Sequence, residues 1–194
     1  TSAGLCENAL EAAMKKLTLP SGEAVFIRPI QPTDAPALLA YCGSFSDLTR
    51  KRFGPHPFDE ATVRAICENL DDDPCIRLAA FAGDKCVAYC LLLLGILPDD
   101  DIRLKSYGID TDQFTYATYA PSVDEKYHGT GLANAIFTEL EYDAKKAGAT
   151  HIILWGGVQH GNPRARRFYE KNGFLKVGEF DLNGGDDDMV KPLS

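Results

Sequence analysis

Several common signals of function are missing from this sequence of 194 residues. Its six cysteines form no CxxC pair, and no histidine pair completes a zinc-finger spacing, so a structural zinc site is not expected. The longest apolar run, from Val87 to Leu97, is too short to cross a bilayer, which takes about 20 residues. We therefore expect no membrane span, no metal, and cysteines that act as small buried hydrophobic residues.

Positive charge is also scarce. The chain has 20 Lys and Arg residues against 28 Asp and Glu residues, which gives a formal net charge of -8. Nucleic acids and anionic membranes select clustered Lys and Arg, so neither is expected as a partner. Because no secretory signal is visible, a reducing cytoplasmic location is expected.

The composition, with 45% hydrophobic and 25% charged residues, is that of an ordinary globular protein. No internal repeat or break in composition divides it. Residues 1–20 are predicted to be an N-terminal tail or a short helix, because a weak apolar pattern there ends at Pro20-Ser21-Gly22. Residues 21–194 are predicted to form a single domain.

Apolar periodicity and turn residues predict an alternation of strands and helices. The expected strands are 24–30, 76–81, 86–94, 114–123, 151–155, 174–180 and 189–193, and the expected helices are 35–41, 60–70, 132–147 and 163–171. The segments 44–59 and 96–112 are interpreted as a linker and a long solvated loop. This order predicts an α/β (α+β) fold in three layers, with a mixed central sheet flanked by helices.

A glycine-rich turn, Tyr127 to Ala133, lies between a predicted strand and a predicted helix. Glycines allow close approach of a ligand, and the free N–H groups and dipole of a helix start favour a pyrophosphate. By itself such a turn is weak evidence, because many turns of this kind only make a tight connection. It matches neither GxGxxG, since position 134 is Asn, nor GK[ST].

The turn resembles the acyl-CoA signature Q/R-x-x-G-x-G/A of the GNAT (GCN5-related N-acetyltransferase) family, with His128 in place of the usual Gln or Arg. This change removes a fixed positive charge, and His128 is interpreted as a pH-sensitive contact or, preferably, as a solvated side chain. The resemblance implies that acetyl-CoA is bound by Ser122, Val123, His128, Gly129, Thr130, Gly131, Leu132, Ala133 and Asn162.

A second match follows about 30 residues later, in Asn162-x-x-Ala165-x-x-Phe168-Tyr169 and then Gly173-Phe174. On a helix, Asn162, Ala165 and Tyr169 share one stripe. The resemblance implies that Asn162 holds the pantetheine arm and that Tyr169 is the catalytic general acid for the CoA thiolate. The residues alone also allow a helix cap at Asn162 and an ordinary core tyrosine at position 169.

The resemblance also implies a cleft beside the strand 114–123. Pro121 cannot donate to a sheet, and Gly156-Gly157 weakens pairing at the end of the next strand, so the two strands are expected to splay. In the family, acyl-CoA occupies such a cleft, and a backbone N–H near Val123 polarises the thioester carbonyl.

The implied reaction is direct attack of a primary amine, on a small molecule or a protein lysine, with acetyl-CoA as co-substrate. Candidates for the base are Tyr116, Tyr119, His160 or a water chain to a carboxylate. The alternatives are a noncatalytic acyl-CoA-binding or sensor module, and transfer of a longer acyl group or to a hydroxyl. A homodimer is also compatible with the resemblance.

The acceptor side is built from less specific residues. The stretch Thr49 to Pro57 loosely resembles bacterial protein-lysine acetyltransferases, but the preferred interpretation is a solvated basic turn with Phe53 and Phe58 anchored in the core. Acidic runs could steer a cationic acceptor, although such runs usually form a solvated face, and they lie at 71–73, 99–101 and 186–188.

Overall fold

The computed structural model describes residues 14–182 and 184–194. In these residues we find nine strands and six α-helices: β1 Lys15–Thr18, β2 Ala24–Pro29, α1 Ala35–Gly43, α2 Asp47–Arg52, α3 Glu60–Glu68, β3 Cys75–Ala82, β4 Lys85–Leu94, α4 Pro98–Ser106, β5 Tyr116–Val123, α5 Leu132–Lys146, β6 His151–Leu154, β7 Val158–Gln159, α6 Pro163–Lys171, β8 Leu175–Phe180 and β9 Asp186–Pro192. Residue contacts group the chain into two units, a first unit (residues up to 91, and 121–139) and a second unit (92–120 and 140–194).

The first unit is built on antiparallel strands. Strand β1 pairs with β2, and β2 pairs with β3. On β2, the side chains of Val25 and Ile27 are both buried, because residues two apart on a strand point to the same face. Leu38 of α1 and Val63 of α3 are also buried. Helices and sheet thus share an apolar core, as the predicted α/β fold requires.

Strand β1 corrects the prediction for residues 1–20. Residues 15–18 form a strand, so the tail or short helix expected there is wrong for this stretch, while residues 1–13 lie outside the described residues. The Pro20-Ser21-Gly22 signal interpreted as a helix end is a hairpin turn instead. Gly22 has φ 87°, and its N–H donates to the carbonyl oxygen of Leu19 at 2.9 Å. The domain therefore includes residues before position 21.

The second unit combines parallel and antiparallel pairing, which confirms the predicted mixed sheet. Strand β5 pairs parallel with β6, while β9 pairs antiparallel with β6, β7 and β8. The β5–β6 register ends where Tyr119 lies opposite Leu154, before Pro121. Gly156 and Gly157 then turn the chain with φ 67° and 70°. Pairing stops where the proline and glycines predicted it would. Strand β7, only two residues long, was not predicted.

Helix α4 lies inside the segment 96–112, so the predicted solvated loop is wrong. Pro98 occupies the first helical position, three aspartates fill the first turn, and Arg103 and Lys105 lie in the last turn. This arrangement complements the helix dipole. Leu104 is fully buried, whereas Ile102 is 66% exposed. One buried leucine leaves no apolar stripe in the sequence, so periodicity could not reveal the helix.

Strand β9 begins three residues before its predicted start and includes the acidic run Asp186 to Asp188. These three residues are at most 1% exposed, so the run is neither a solvated face nor a surface that steers an acceptor. Buried carboxylates need partners. Arg103 pairs with Asp188, and Arg166 pairs with Asp187. The partners are distant in sequence, which is why the run looked like a surface feature.

The linker 44–59 contains another unpredicted element, the short helix α2. Ser46 caps it, because its Oγ accepts a hydrogen bond from the N–H of Thr49 at 3.2 Å. Its last turn contains Arg50, Lys51 and Arg52, whose positive charges interact favourably with the negative end of the helix dipole. The basic turn predicted here is therefore helical.

The cysteines follow their prediction wherever the structure describes them. Cys42, Cys67, Cys86 and Cys90 are buried, Cys75 is partly buried, and none of these five forms a disulfide; Cys6 lies outside the described residues. Among the described helices, none combines the length and the apolar character that a bilayer crossing requires.

Candidate functional site

The glycine turn lies in the first unit, between the end of β5 and the start of α5. A single 3-10 turn, Glu125–Tyr127, precedes it. Gly129 and Gly131 have φ 75° and 91°, values that residues with a Cβ rarely adopt. A Cβ added at either glycine would meet no atom within 4 Å. The turn therefore needs glycine for its backbone and leaves open space in front of it.

Some of the backbone amides of this turn are already bonded. Leu132 N–H donates to Thr130 Oγ1 at 3.4 Å, and Ala135 N–H donates to the carbonyl of Gly131 at 3.0 Å. In the part of the chain that the structure describes, the amides of Gly129, Gly131 and Ala133 donate no backbone hydrogen bond. Free amides at a helix start, together with the helix dipole, form an anion site.

His128 is held by the strand that precedes the turn. Its Nε2 lies 3.0 Å from the carbonyl oxygen of Val123. A carbonyl only accepts hydrogen bonds, so Nε2 carries a proton. The side chain is partly buried, so it is only partly solvated. The imidazole fastens the turn to the end of β5, a role that a neutral ring fills without the charge of Arg.

Ser122 is buried, and its hydroxyl lies 2.9 Å from the hydroxyl of Tyr41 in α1. Burial raises the pKa of Tyr41, so that phenol stays protonated. The carbonyl of Ser122 faces the Cys90 thiol at 3.9 Å. One residue past β5, the N–H of Asp124 donates to Val87 at 2.9 Å. Ser122 thus fixes the end of β5 through its side chain, which is bonded to Tyr41.

In the second unit, Asn162 caps helix α6. Its side-chain oxygen accepts a hydrogen bond from the N–H of Ala165 at 3.3 Å, and Pro163 occupies the first helical position. The N–H of Asn162 donates to Gln159 at 2.9 Å. The cap is confirmed. Because the cap uses the carbonyl oxygen of the side chain, the NH2 group can still donate to a ligand.

Tyr169 lies seven residues after Asn162, on the same side of α6, and is 7% exposed. Its ring packs edge-on against Phe174 at 5.4 Å and against Tyr119 at 6.5 Å, measured between ring centroids. Edge-to-face packing of this kind fixes ring orientation. The N–H of Phe174 also donates to the carbonyl of Tyr169 at 3.0 Å. A phenol held this firmly can present its hydroxyl in one direction.

The glycine turn and helix α6 both lie in the part of the chain that matches a known protein family. The model of the family described as "Acetyltransferase (GNAT) family" matches residues 43–174, which include the glycine turn, Asn162 and Tyr169. The chain belongs to the GNAT acetyltransferase family. The predicted family is thereby confirmed.

Related proteins extend this comparison. Two uncharacterized N-acetyltransferases, from Mycobacterium tuberculosis and Mycobacterium bovis, are each 32% identical over 109 residues, which is 56% of this chain and 58% of the relative. The GNAT domain of S. lividans PAT has a TM-score of 0.71 at 18% identity, covering 94% of this chain and 98% of that one. PaiA N-acetyltransferase from Thermoplasma acidophilum, in complex with coenzyme A, has a TM-score of 0.59 at 20% identity, covering 87% and 98%. These structures share the fold. The chain spans little more than half of its curated relatives.

The three base candidates of this GNAT chain lie in different surroundings. Tyr116 packs into the core cluster of Leu104, Ile153 and Val190, where burial raises the pKa of its phenol. Tyr119 lies beside Tyr169. His160 is hydrogen-bonded through Nε2 to Asp187 at 2.8 Å. Tyr119 therefore lies next to Tyr169, whereas Tyr116 belongs to the hydrophobic core.

The region expected to form the acceptor side of a GNAT protein is aromatic. Phe53 is buried, so its anchoring in the core is confirmed, whereas Phe58 is only partly buried and stacks on Phe53 at 5.8 Å with an interplanar angle of 11°. Phe45 packs edge-on against Phe58 at 5.3 Å and against Tyr41 at 5.0 Å. Arg50 lies 6.0 Å from the Phe58 ring centre. The rings connect Tyr41, the partner of Ser122, with the basic helix α2.

Sequence reasoning missed a hydrogen-bonded chain beneath these rings. His56 Nδ1 lies 2.7 Å from the carbonyl of Pro57, so Nδ1 holds the proton and Nε2 is an acceptor. The Tyr89 hydroxyl, 3.2 Å from Nε2, donates to it and itself accepts from Arg77 at 2.5 Å. Asp73 completes the chain through an ion pair with Arg77. No spacing in the sequence links these four residues.

The neutral His56 makes the stability of the protein depend on pH. Burial lowers the pKa of His56 below its ordinary value of 6.5. The unfolded chain therefore takes up a proton at a higher pH than the folded chain does, and stability falls as the pH drops below about 6.5. Replacing His56 by Gln should remove this part of the loss. As the pH is lowered from about 7.5 to about 5, we expect the urea midpoint of the wild type to fall towards that of His56→Gln. A constant difference between them over this range would contradict the prediction.

Proposed function

We propose that this protein transfers an acetyl group from acetyl-CoA to a primary amine. The observation that carries the proposal is the turn from His128 to Gly131. Its two left-handed glycines face open space, and free amides surround them at the start of a helix of 15 residues. Three amides and a helix dipole suit the pyrophosphate of CoA. A neutral amine or thioester alone would not need such an anion site.

Local geometry must attract the cofactor, since the net charge of -8 works against an anion. Amides are donors of fixed direction and carry no desolvation cost comparable to that of a buried Lys or Arg. This fits a turn in which His128 replaces the usual Gln or Arg. We infer that Gly129, Thr130, Gly131, Leu132 and Ala133 contact the pyrophosphate mainly through the backbone, and that the Val123 N–H polarises the thioester carbonyl.

Asn162 and Tyr169 have proposed roles that rest on the family pattern. The Asn162 amide would donate to the pantetheine arm while its oxygen caps α6. As the amine nitrogen bonds to the acetyl carbon and the C–S bond breaks, the Tyr169 hydroxyl would give its proton to the sulfur. The proton leaving the amine passes to water, either directly or through the hydroxyl of Tyr119, the tyrosine next to Tyr169, which would give up its own proton to water as it accepts one.

The first test is acetyl-CoA binding measured by calorimetry for the wild type and for Gly131→Glu. A glutamate there fills the open space and places a negative charge against the phosphates. We expect binding to weaken at least about 100-fold, a change of about 2.7 kcal/mol. The matched control is Gly22→Glu in the β1–β2 turn. Its φ of 87° is close to the 91° of Gly131, and it too faces open space.

Equal loss of binding in both variants would show that strain alone is responsible. A folded wild type that does not bind acetyl-CoA would rule out the proposal. Binding without CoA release would point to the sensor module. Thiol release should therefore be measured with a panel that includes polyamines, lysine peptides and peptides with an N-terminal alanine. The alanine peptides follow the name of a structural neighbour, the ribosomal-protein-S5-alanine acetyltransferase from Vibrio fischeri, with a TM-score of 0.67.

A further inference from the structure

The buried carboxylate of Asp187 in β9 contacts one side chain from the loop before helix α6 and one from the helix itself. Asp187 is 1% exposed. Its Oδ1 accepts a hydrogen bond from His160 Nε2 at 2.8 Å and lies 3.0 Å from the Lys176 ammonium. Its Oδ2 pairs with the guanidinium of Arg166. These partners outweigh the burial of Asp187 and hold the pKa of its carboxyl below the ordinary value.

The partners of Asp187 lie on both sides of the helix start. His160 precedes the cap residue Asn162 by two positions, and Arg166 lies inside α6, between Asn162 and Tyr169. The peptide N–H of His160 also donates to the Gly185 carbonyl at 2.9 Å. A Cβ on Gly185 would come within 2.5 Å of His160 Nδ1, so the imidazole lies directly against the backbone. The loop before α6 is therefore held by side chain and main chain together.

A metal ion is the other reading of this cluster. His160, Glu179 and Asp187 offer ligand atoms that all lie within 4.8 Å of one another. However, the Lys176 ammonium already contacts both carboxylates. With Arg166 it balances the two negative charges, so a divalent cation would have to displace Lys176 from a neutral cluster. Charge balance favours a structural network over a metal site.

We propose that Asp187 is a positioning residue for α6: by holding His160 and Arg166 it fixes the helix that carries Asn162 and Tyr169. The kinetic part of this inference rests on the proposed function, in which these two residues serve acetyl transfer. Small displacements of such groups have large kinetic effects. Asp187 is assigned no contact with the reacting atoms and acts through His160 and Arg166.

The test compares Asp187→Asn with Asp188→Asn. The neighbouring Asp188 is also fully buried, but its partners are Arg103 of α4 and Tyr107, not α6. Both variants should lose stability. For Asp187→Asn we expect KM for acetyl-CoA to rise and kcat to fall, each by about tenfold. For Asp188→Asn both constants should stay within about twofold of wild type.

Hydrogen exchange supplies a measurement that is independent of activity. Amides of residues 160–171 should exchange faster in Asp187→Asn than in wild type and remain protected in Asp188→Asn. If the wild type proved inactive, only the proposed function would fail. The hydrogen-exchange rates would still test whether Asp187 positions α6. Equal exchange and equal kinetics in the two variants would overturn the proposal. So would a rise in melting temperature of the wild type with added Zn²⁺ that Asp187→Asn lacks, since that result would assign the cluster to a metal.

Discussion

Tyr169→Phe is expected to lower kcat by about 100-fold or more, while KM for acetyl-CoA changes little. The substitution removes one hydroxyl and keeps the ring, whose packing against Phe174 and Tyr119 holds it in place. Without the phenol, the CoA sulfur must leave as an unprotonated thiolate or take its proton from water. The measurement is the rate of CoA release at saturating acetyl-CoA, with the best amine of the acceptor panel.

The control for this variant is Tyr116→Phe. Tyr116 lies on β5 and is 5% exposed, slightly more buried than Tyr169 at 7%, but it belongs to the core cluster around Leu104. Removing its hydroxyl should leave kcat unchanged. If Tyr169→Phe retained wild-type kcat, the general-acid assignment would be wrong. If both variants were equally slow, the effect would reflect disturbed packing of the second unit.

Arg103→Met is expected to cost about 3–5 kcal/mol of folding free energy. Arg103 bonds to two carboxylates, those of Asp100 and Asp188, which are 2% and 0% exposed. Its guanidinium also lies over the Phe180 ring, 3.9 Å from the centre. Methionine keeps much of the packing but leaves two buried negative charges without their cation. Urea unfolding at neutral pH measures the loss.

Two comparisons make this result specific. Arg64→Met removes an ion pair of similar length, 2.8 Å to Glu60, but both of its side chains are more than half exposed, so the change should be only a small fraction of that for Arg103. The deficit of Arg103→Met should also shrink in acid. Burial raises the pKa of Asp100, so this carboxyl is ready to take up a proton when its partner is missing. A deficit that is independent of pH would show that lost packing, not charge, is the cause.

The parts of the fold that could be predicted are those whose signal is local. Strand β2 was expected at 24–30 and lies at Ala24–Pro29; the helix after the glycine turn begins at Leu132 as expected. Turn glycines, a proline at a first helical position and apolar periodicity each act within a few residues. For the same reason the family pattern could be recognised, since each of its two segments is continuous in sequence.

The errors share a different cause. Helix α4 and the buried aspartates of β9 stabilise each other through Arg103 and Asp188, which are 85 positions apart in the chain. Each segment alone resembles a solvated acidic run, and only the folded structure shows that the charges meet. The Asp187 network and the His56 chain were missed for the same reason. Charge patterns in a sequence predict local surfaces well and long-range ion pairs poorly.

The buried cysteines have a practical consequence for enzymology. Burial raises the pKa of Cys42 and Cys75 to about 11 and also raises the pKa of Cys67 and Cys86, so at neutral pH these thiols remain protonated and unreactive in the folded protein. A disulfide reagent that reports free thiols by colour would then react with released CoA in preference to these side chains. Turnover can be followed continuously in this way, and a burst of protein thiol reactivity becomes a sensitive indicator that a variant has begun to unfold.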